Sequence, residues 1–334
     1  MIISKTPLRI TLAGGGTDLP DFYSRYGGCV TSMAIDKYIY ISFKKNILEN
    51  IIRLAYLKIE SVDTIDQLRN ERARETIRYF IPELLGNKKG GGFEISSISD
   101  LPCGSGLGSS GSYLVGLINL LQHSLDYGLS KRNIADIACY IEMDVLSEPV
   151  GKQDQFIAAY GGITTFTISK DGNVTEQKLY LENPEDFLSK NRIYYTGLQR
   201  NASNILQAQK EDISNFERRM IKIQEISHMS LDAIKRGDYD TYGELLNQHW
   251  QEKRLLNSTM TTHEIDNVYN TLLENDYILG GKIIGAGGGG FLLLYSHKDH
   301  CYVDEYMKNN NFIKLDYEIS QNGSEIVYDD TRNN

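Results

Sequence analysis

The stretch Leu101-Pro-Cys-Gly-Ser-Gly-Leu-Gly-Ser-Ser-Gly-Ser112 holds four glycines and four serines within residues 104–112, and an apolar run follows at residues 113–121. Glycines let a backbone adopt positive φ and approach a ligand closely, so that several amide N–H groups can point at one anion. A helix that begins after such a turn adds its own unpaired N–H groups and the positive end of its dipole. The stretch therefore predicts a phosphate-binding loop. The alternative interpretation is a glycine-rich turn with a serine N-cap.

This loop differs from two common nucleotide-binding patterns. No lysine follows its last glycine, as a P-loop requires, and the preceding Ser-Asp-Leu-Pro is not the end of an apolar strand, as a dinucleotide-binding fingerprint requires. The hydroxyls of Ser109 and Ser110 stand at the predicted start of the helix. Either hydroxyl suits a metal ion or a phosphoryl oxygen.

Composition limits the class of protein. At 334 residues the chain is long for one core, which favours two domains, and we expect them to be residues 1–188 and 189–334. A net charge of −9 argues against general nucleic-acid binding. No apolar run approaches the roughly 18 residues of a membrane span and no leader pattern opens the sequence, so we expect a cytoplasmic protein without membrane contact. The residues leave the oligomeric state open, with a homodimer as one alternative.

Hydrophobic periodicity predicts mixed strands and helices in both halves, which is typical of α/β or α+β proteins. The predicted strands are residues 2–12, 30–43, 93–98, 161–168, 193–196, 282–284 and 291–295. The predicted helices are residues 66–79, 113–125, 130–146, 202–235, 239–256 and 262–274.

Three glycine-rich segments lie far apart in the sequence. We call residues 14–16 the first glycine loop, residues 104–111 the second and residues 285–290 the third. One such loop is weak evidence of a ligand site. Three in one chain indicate loops that gather around a single phosphorylated ligand.

Charged residues between the loops fit phosphoryl transfer, which needs a metal ion on the phosphates, a carboxylate near the attacking hydroxyl and a cation near the developing charge. Glu142 with Ser109 or Ser110 is the candidate for the metal site, and Asp154 is the candidate carboxylate. Arg9 or Lys152 is the candidate cation. The alternative interpretations are that Glu142 is a solvated surface residue, that Asp154 caps or turns the chain, and that Arg9 forms a surface ion pair worth only about 0–1 kcal/mol.

Five segments follow one another along the chain: Pro7-x-Arg9, Gly14-x-x-Thr17-Asp18, the second glycine loop, Gly151-x-x-Asp154-Gln155 and the third glycine loop. With these segments in this order, the sequence resembles the GHMP kinases. The match spans residues 3–294. The resemblance implies a two-domain α+β fold, with an N-terminal domain like the second domain of ribosomal protein S5 and a ferredoxin-like C-terminal domain. It also implies ATP and Mg²⁺ as cofactors, bound between the domains with the substrate.

The resemblance assigns roles to residues at the matching positions. It implies that Asp154 acts on the acceptor hydroxyl with Arg9 nearby, and that Ser110 and Glu142 bind Mg²⁺. The implied ATP-binding residues are Pro102, Gly104, Ser105, Gly106, Leu107, Gly108, Ser109 and Ser110. The implied substrate-binding residues are Gly15, Gly16, Thr17, Asp18, Gly161, Gly162, Gly287 and Gly288.

Departures from the family pattern limit the set of expected substrates. Galactokinases carry Glu-His-x-Asp where this chain has Gly15-Gly16-Thr17-Asp18, so galactose is not expected. The sequence around this segment, with Gly-Lys-Gln-Asp-Gln-Phe156 further on, is similar to family members that phosphorylate O1 of D-glycero-D-manno-heptose 7-phosphate for surface-polysaccharide synthesis. Fucokinase domains, which act on a free sugar, share much of it.

A sugar phosphate as substrate would need cations for its phosphate group in this acidic protein. Arg200, at a predicted strand-to-helix turn, is the first candidate, and Lys5 and Lys37 are the next. A non-catalytic relative that kept only the fold is the other class of interpretation. Such a relative would be expected to lose the serines, Glu142 or Asp154, and all of them are present.

Overall fold

The computed structural model describes residues 1–46, 48–81, 92–198, 213–256, 258–285 and 287–331. The strands are β1 (Ile2–Ala13), β2 (Gly28–Lys45), β3 (Ile52–Ala55), β4 (Ile59–Val62), β5 (Phe93–Ser99), β6 (Ile163–Ile168), β7 (Val174–Leu179), β8 (Asn191–Tyr195), β9 (Ile278–Ile283), β10 (Phe291–Ser296), β11 (Ile313–Leu315) and β12 (Glu325–Asp329). The helices are α1 (Pro20–Tyr26), α2 (Glu71–Phe80), α3 (Ser109–Ser124), α4 (Lys131–Cys139), α5 (Gln153–Tyr160), α6 (Pro184–Lys190), α7 (Ile213–Lys235), α8 (Tyr239–Arg254), α9 (His263–Glu274) and α10 (His300–Asn309).

The first sheet is organised by the long strand β2, which pairs with β1 along most of its length. The C-terminal half of β2 also pairs with β5, whereas its N-terminal half pairs with β6. The resulting order is β12-β1-β2-β5-β3-β4, with β6 and β7 attached to the other end of β2. Helix α3 packs against β1 and β2. The hydroxyl of Ser112, in the first turn of α3, donates to the carbonyl of Pro7, so the N-terminus of the helix lies beside the middle of β1.

The second sheet, in the order β11-β8-β10-β9, is covered on both faces. Phe291, Leu293 and Tyr295 of β10 belong to the large core shared with the first sheet. The alternate residues Leu292 and Leu294 belong to a separate core with α9 and α10. Successive side chains of a strand point to opposite faces, so a strand between two cores is apolar throughout. The prediction of an apolar strand at residues 291–295 is confirmed.

An irregularity in β1 lies directly before Arg9. The register between β1 and β2 shifts between Pro7 and Leu8. Such bulges twist a strand locally and redirect the side chains that follow. The backbone N–H of Arg9 leaves the regular ladder and donates to the carbonyl of Leu107 in the second glycine loop, at 3.0 Å.

Several helix boundaries differ from those predicted. Helix α3 begins at Ser109 rather than at residue 113, because Gly108 adopts the left-handed conformation that ends the loop. Helix α2 begins only at Glu71, where the side chain of Asn70 caps it. Helix α5 was not predicted at all. Residues 202–212 of one predicted helix lie outside the described residues.

The predicted helix over residues 130–146 has two parts. Ser130 caps α4 through the backbone N–H of Asn133, as the sequence predicts. A π-helix then continues over Tyr140–Val145. Wide helical turns of this kind are frequent at functional sites.

The chain does not divide cleanly at the predicted domain boundary. The boundary at residues 188 and 189 falls inside α6, and it stays a prediction. The C-terminal strand β12 returns to the first sheet and pairs with β1, joining Ile2 to Asp329. Among the described helices, none combines the length and the apolar character needed to span a membrane.

Candidate active site

The three glycine loops meet at one cleft with a volume of about 680 Å³, a size typical of small-molecule sites. The second and third loops touch directly, because an added side-chain carbon on Gly285 would lie 2.8 Å from the carbonyl oxygen of Gly106. The predicted site residues that line the cleft are Arg9, Gly15, Gly16, Asp18, Gly104, Gly106, Gly108, Ser109, Ser110, Glu142, Asp154 and Gly287.

The second glycine loop ends in a tight approach to charged side chains. Gly108 has a φ of 77°, and a side-chain carbon there would lie 3.0 Å from Cγ of Arg9 and 3.3 Å from Oδ2 of Asp154. Ser109 and Ser110 then form the first turn of α3. The N–H groups of a first helical turn have no partner within the helix, so they are available to an anion.

Arg9 and Asp154 form a two-point ion pair in this cleft. The Nε and Nη2 atoms of Arg9 donate to Oδ1 and Oδ2 of Asp154 at 2.7 and 2.9 Å. The remaining terminal nitrogen of Arg9, Nη1, donates to the carbonyl of Gly106 at 2.5 Å. The Arg9 side chain is 5% exposed, whereas that of Asp154 is 22% exposed. The carboxylate is therefore fixed by the arginine and still open to the cleft.

Asp154 is positioned by the contact between α3 and α5. It lies in the first turn of α5, where a carboxylate is stabilised by the helix dipole. Gly111 of α3 allows the close approach, because a side-chain carbon there would lie 2.7 Å from Cβ of Asp154. Lys152, the other candidate cation, instead donates to the carbonyl of Gly172 and does not line the cleft.

Glu142, on the π-helix, is a buried carboxylate with two donors. Nε of Arg72 donates to Oε1 at 3.0 Å, and Nε2 of Gln155 donates to Oε2 at 2.7 Å. Burial raises the pKa of Glu142; the Arg72 charge and the two hydrogen bonds oppose this rise, and the nearby Asp154 charge adds to it. Arg72 also reaches Glu148 at 3.2 Å, so its guanidinium is shared between two carboxylates at the cleft edge.

Asp18 fastens the first glycine loop to α5. Its Oδ1 accepts from the N–H of Gly16 at 3.1 Å and its Oδ2 accepts from the N–H of Gln153 at 3.0 Å. Burial raises the pKa of Asp18, partly offset by these hydrogen bonds. The carboxylate thus sets the shape of the loop and the start of α5.

Other predicted site residues lie outside the cleft lining. Thr17 is buried, and its hydroxyl donates to the carbonyls of Gly14 and Cys29 beneath the loop. Gly161 and Gly162 pack against the C-terminal segment near Asn322. Pro102, Ser105, Leu107 and Gly288 support the loops without lining the cleft, and Arg200 lies outside the described residues.

Sequence analysis did not single out three cations that line the cleft: Arg72, Lys253 and Lys282. Lys253 lies on the same face of α8 as Leu246 and Trp250, which are buried. Lys282 interrupts the apolar strand β9 and is 2% exposed. A lysine on an apolar face is rarely buried without a reason, and that pattern was the available signal.

Two segments of the chain match the models of one protein family. Residues 71–162 match the family model for the GHMP kinases N terminal domain, and residues 230–300 match the model for GHMP kinases C terminal. The chain belongs to the GHMP kinases. As a GHMP kinase it is an ATP-dependent phosphotransferase, and the two-domain α+β fold expected from the sequence is confirmed.

Individual GHMP kinases resemble the chain at modest identity. The D-glycero-alpha-D-manno-heptose 7-phosphate kinase of Campylobacter jejuni is 26% identical over 96% of this chain and 97% of its own length. The L-fucokinase/L-fucose-1-P guanylyltransferase of Bacteroides fragilis is 24% identical over 91% of this chain and 35% of its own length. The crystal structure of a D-glycero-D-manno-heptose 1-phosphate kinase from Bacteroides thetaiotaomicron superposes with a TM-score of 0.80 at 22% identity, covering 98% of this chain and all of that one, and shows the shared fold.

The Arg72–Glu142 pair predicts a pH-dependent stability change. The folded-state pKa of Glu142 is raised, so this carboxyl becomes neutral as the pH falls and then has no charge interaction with the Arg72 guanidinium. Arg72→Gln is therefore expected to cost about 1–3 kcal/mol of unfolding free energy near pH 8, and clearly less near pH 4, which lies below the raised pKa of Glu142. Urea unfolding at the two pH values measures this difference.

Arg53→Gln is the matched control, since Arg53 makes a comparable hydrogen bond to the exposed Glu49. Its effect should be small at both pH values. An Arg72→Gln cost that does not change with pH would show that the guanidinium does not stabilise the ionised form of Glu142.

Proposed function

We propose that this GHMP kinase transfers the γ-phosphoryl group of ATP to the anomeric hydroxyl, O1, of D-glycero-D-manno-heptose 7-phosphate, giving the 1,7-bisphosphate and ADP. The observation that carries the proposal is the Arg9–Asp154 pair, which faces a cleft bounded by three glycine loops. The choice of sugar is supported by the heptose 7-phosphate kinase that matches 96% of the chain.

In this proposal Asp154 accepts the proton of the acceptor hydroxyl. The O1 oxygen forms a bond to the γ-phosphorus, the bond from that phosphorus to the β,γ-bridging oxygen breaks, and ADP leaves with the bond's electron pair. An anomeric hydroxyl is more acidic than an ordinary alcohol, so Asp154 needs mainly to orient it and to take the proton late in the step. Both carboxylate oxygens already accept from Arg9, which holds Asp154 in one orientation at the cleft.

Arg9 has two tasks in the same step. It holds Asp154 in position, and its charge lies beside the second glycine loop through the Gly106 carbonyl. A fixed cation next to the transferred group stabilises the negative charge that develops there. Because the guanidinium is already held by three hydrogen bonds, little reorganisation is required during the reaction.

The triphosphate is assigned to the second glycine loop and the N-terminus of α3. Ser109 is proposed to contact phosphate oxygens, and Ser110 with Glu142 to bind Mg²⁺. The donors fit this ion, since Mg²⁺ takes hard oxygen ligands from one or two carboxylates and completes its shell with phosphates and water. The described residues contain no group of three or more His, Cys, Asp or Glu side chains that could hold a metal ion, and in this proposal phosphate oxygens and water complete the shell. When bound, Mg²⁺ neutralises charge on the β- and γ-phosphates.

Replacement of the proposed proton acceptor should separate binding from chemistry. Asp154→Asn is expected to retain ATP binding and to lower kcat by about 10²–10⁴-fold, since an amide cannot accept the proton. Nucleotide titration and steady-state kinetics measure the two quantities. Asp304→Asn, which breaks a similar pair with Arg192 outside the cleft, is the control and should leave kcat unchanged. Near-normal turnover of Asp154→Asn would remove Asp154 from this role.

Replacement of the proposed metal ligand should change the metal requirement. Glu142→Gln is expected to raise the Mg²⁺ concentration for half-maximal rate by about tenfold or more. The neighbouring variant Glu148→Gln also removes a carboxylate from Arg72, and it should leave the Mg²⁺ titration little changed. An unchanged titration for Glu142→Gln would exclude this residue from the metal site.

The substrate is tested by an ADP-release assay across acceptors. We expect kcat/KM to be highest for heptose 7-phosphate, compared with free heptose, mannose, fucose and mevalonate. Phosphorus NMR of the product should place the new phosphate on O1. Higher kcat/KM for fucose or free heptose would instead support a fucokinase-like activity on a free sugar, in line with the Bacteroides fragilis relative.

A further inference from the structure

Two lysines at the base of the cleft have no role in the reaction described above. Lys253 extends from α8 and Lys282 from β9, and we call them the lysine pair. Nζ of Lys253 donates to the carbonyl of Gly285 at 2.7 Å, and Nζ of Lys282 donates to the carbonyl of Leu12 at 2.9 Å. Both residues line the cleft although they are 9% and 2% exposed.

The lysine pair differs from the other cations of the cleft in its partners. Among the described residues that line the cleft, the two arginines, Arg9 and Arg72, pair with carboxylates. Each lysine instead has a backbone carbonyl, and neither forms an ion pair with a described carboxylate. A buried charge without a counter-charge is unfavourable. An anionic ligand would supply the missing charge.

The pKa values agree with this description of the charges. Burial lowers the pKa of Lys253 to about 8, with a further contribution from Arg9 that Asp18 opposes. Burial and the charges of Lys253 and Arg9 lower the pKa of Lys282 well below its usual value. The buried His249, behind the pair, is kept neutral by its own burial and by both lysines.

The position of the lysine pair favours the acceptor over ATP. Lys282 contacts the carbonyl of Leu12, which lies just before the first glycine loop. Asp18, whose charge raises the pKa of Lys253, lies just after that loop. This is the loop assigned above to the acceptor. The triphosphate is already provided with the N–H groups of the second loop and of α3. A phosphate monoester carries a charge of about −1.5 to −2 at pH 7, which two ammonium groups can balance.

We propose that Lys253 and Lys282 together bind the phosphate ester of the acceptor sugar at the base of the cleft, beside the first glycine loop. The inference rests on the proposed function in one respect, namely that the acceptor is phosphorylated. The lysine pair takes the place of the earlier candidates Lys5 and Lys37, neither of which lines the cleft. Lys5 lies over the ring of Tyr38, and Lys37 pairs with Asp36. The lysine pair thereby determines specificity and takes no part in proton transfer.

The test compares heptose 7-phosphate with the same heptose lacking the phosphate, both at saturating ATP. The wild-type enzyme is expected to favour the phosphorylated acceptor in kcat/KM. In Lys253→Gln and in Lys282→Gln this preference should fall by about tenfold or more, because each variant loses one charge-assisted contact. The KM for ATP should change little. Glutamine keeps an N–H donor for the backbone carbonyl, so the variants remove the charge with limited damage to the loops.

Lys131→Gln is the matched control, since Nζ of Lys131 also donates to a backbone carbonyl, that of Tyr160, outside the cleft, and its preference should equal that of the wild type. The ratio of two kcat/KM values does not depend on how much of a variant is folded. Calorimetric titration of heptose 7-phosphate without ATP gives a second readout, in which both lysine variants should bind more weakly.

The outcomes separate the inference from the proposed function. If the wild type shows no preference for the phosphorylated sugar, the proposed acceptor is wrong and the inference falls with it. If the wild type shows the preference and both lysine variants keep it, the inference alone is overturned. If the variants lose rate equally with both acceptors and raise the KM for ATP, the lysines serve the transferred phosphoryl group, and the inference is again overturned.

Discussion

The ion pair between Arg9 and Asp154 is the interaction on which the rest of the site depends. It joins the first sheet to α5, and the third donor of the guanidinium joins both to the second glycine loop. Three segments that are far apart in sequence are therefore held at one point by a single side chain. The cost of burying charge is limited because the two groups neutralise each other and the carboxylate still faces the cleft.

Much of this arrangement could be predicted from the sequence, because its signals are local. A glycine-rich turn before an apolar helix indicates a phosphate-binding loop, and carboxylates between such turns indicate candidate catalytic or metal-binding groups, even when the fold is unknown. The convergence of the three loops was an expectation of this kind, whereas the hydrogen-bond partners of Arg9 became known only from the structure. Helix α5 was missed because Gly151 and the polar residues after it also fit a turn, and its stability comes from packing on α3 and α4.

Other features depend on contacts between distant segments, and no local pattern encodes them. Arg72 acts at the site only because α2 packs beside the π-helix that carries Glu142. The lysine pair lies at the cleft because α8 and β9 bring it to the ends of the first and third loops. Thr17 is the opposite case: it lies within a motif that predicted substrate binding, but its hydroxyl bonds to the backbone carbonyls beneath the loop.

The pairing of β12 with β1 has a consequence for how the protein is made. Ile2 is opposite Asp329, so the edge of the strand that carries Arg9 stays uncovered until the ribosome has synthesised β12. Pairing between such distant segments carries a large loop-closure cost and slows folding. During synthesis β1 therefore presents an open edge that can pair with other chains.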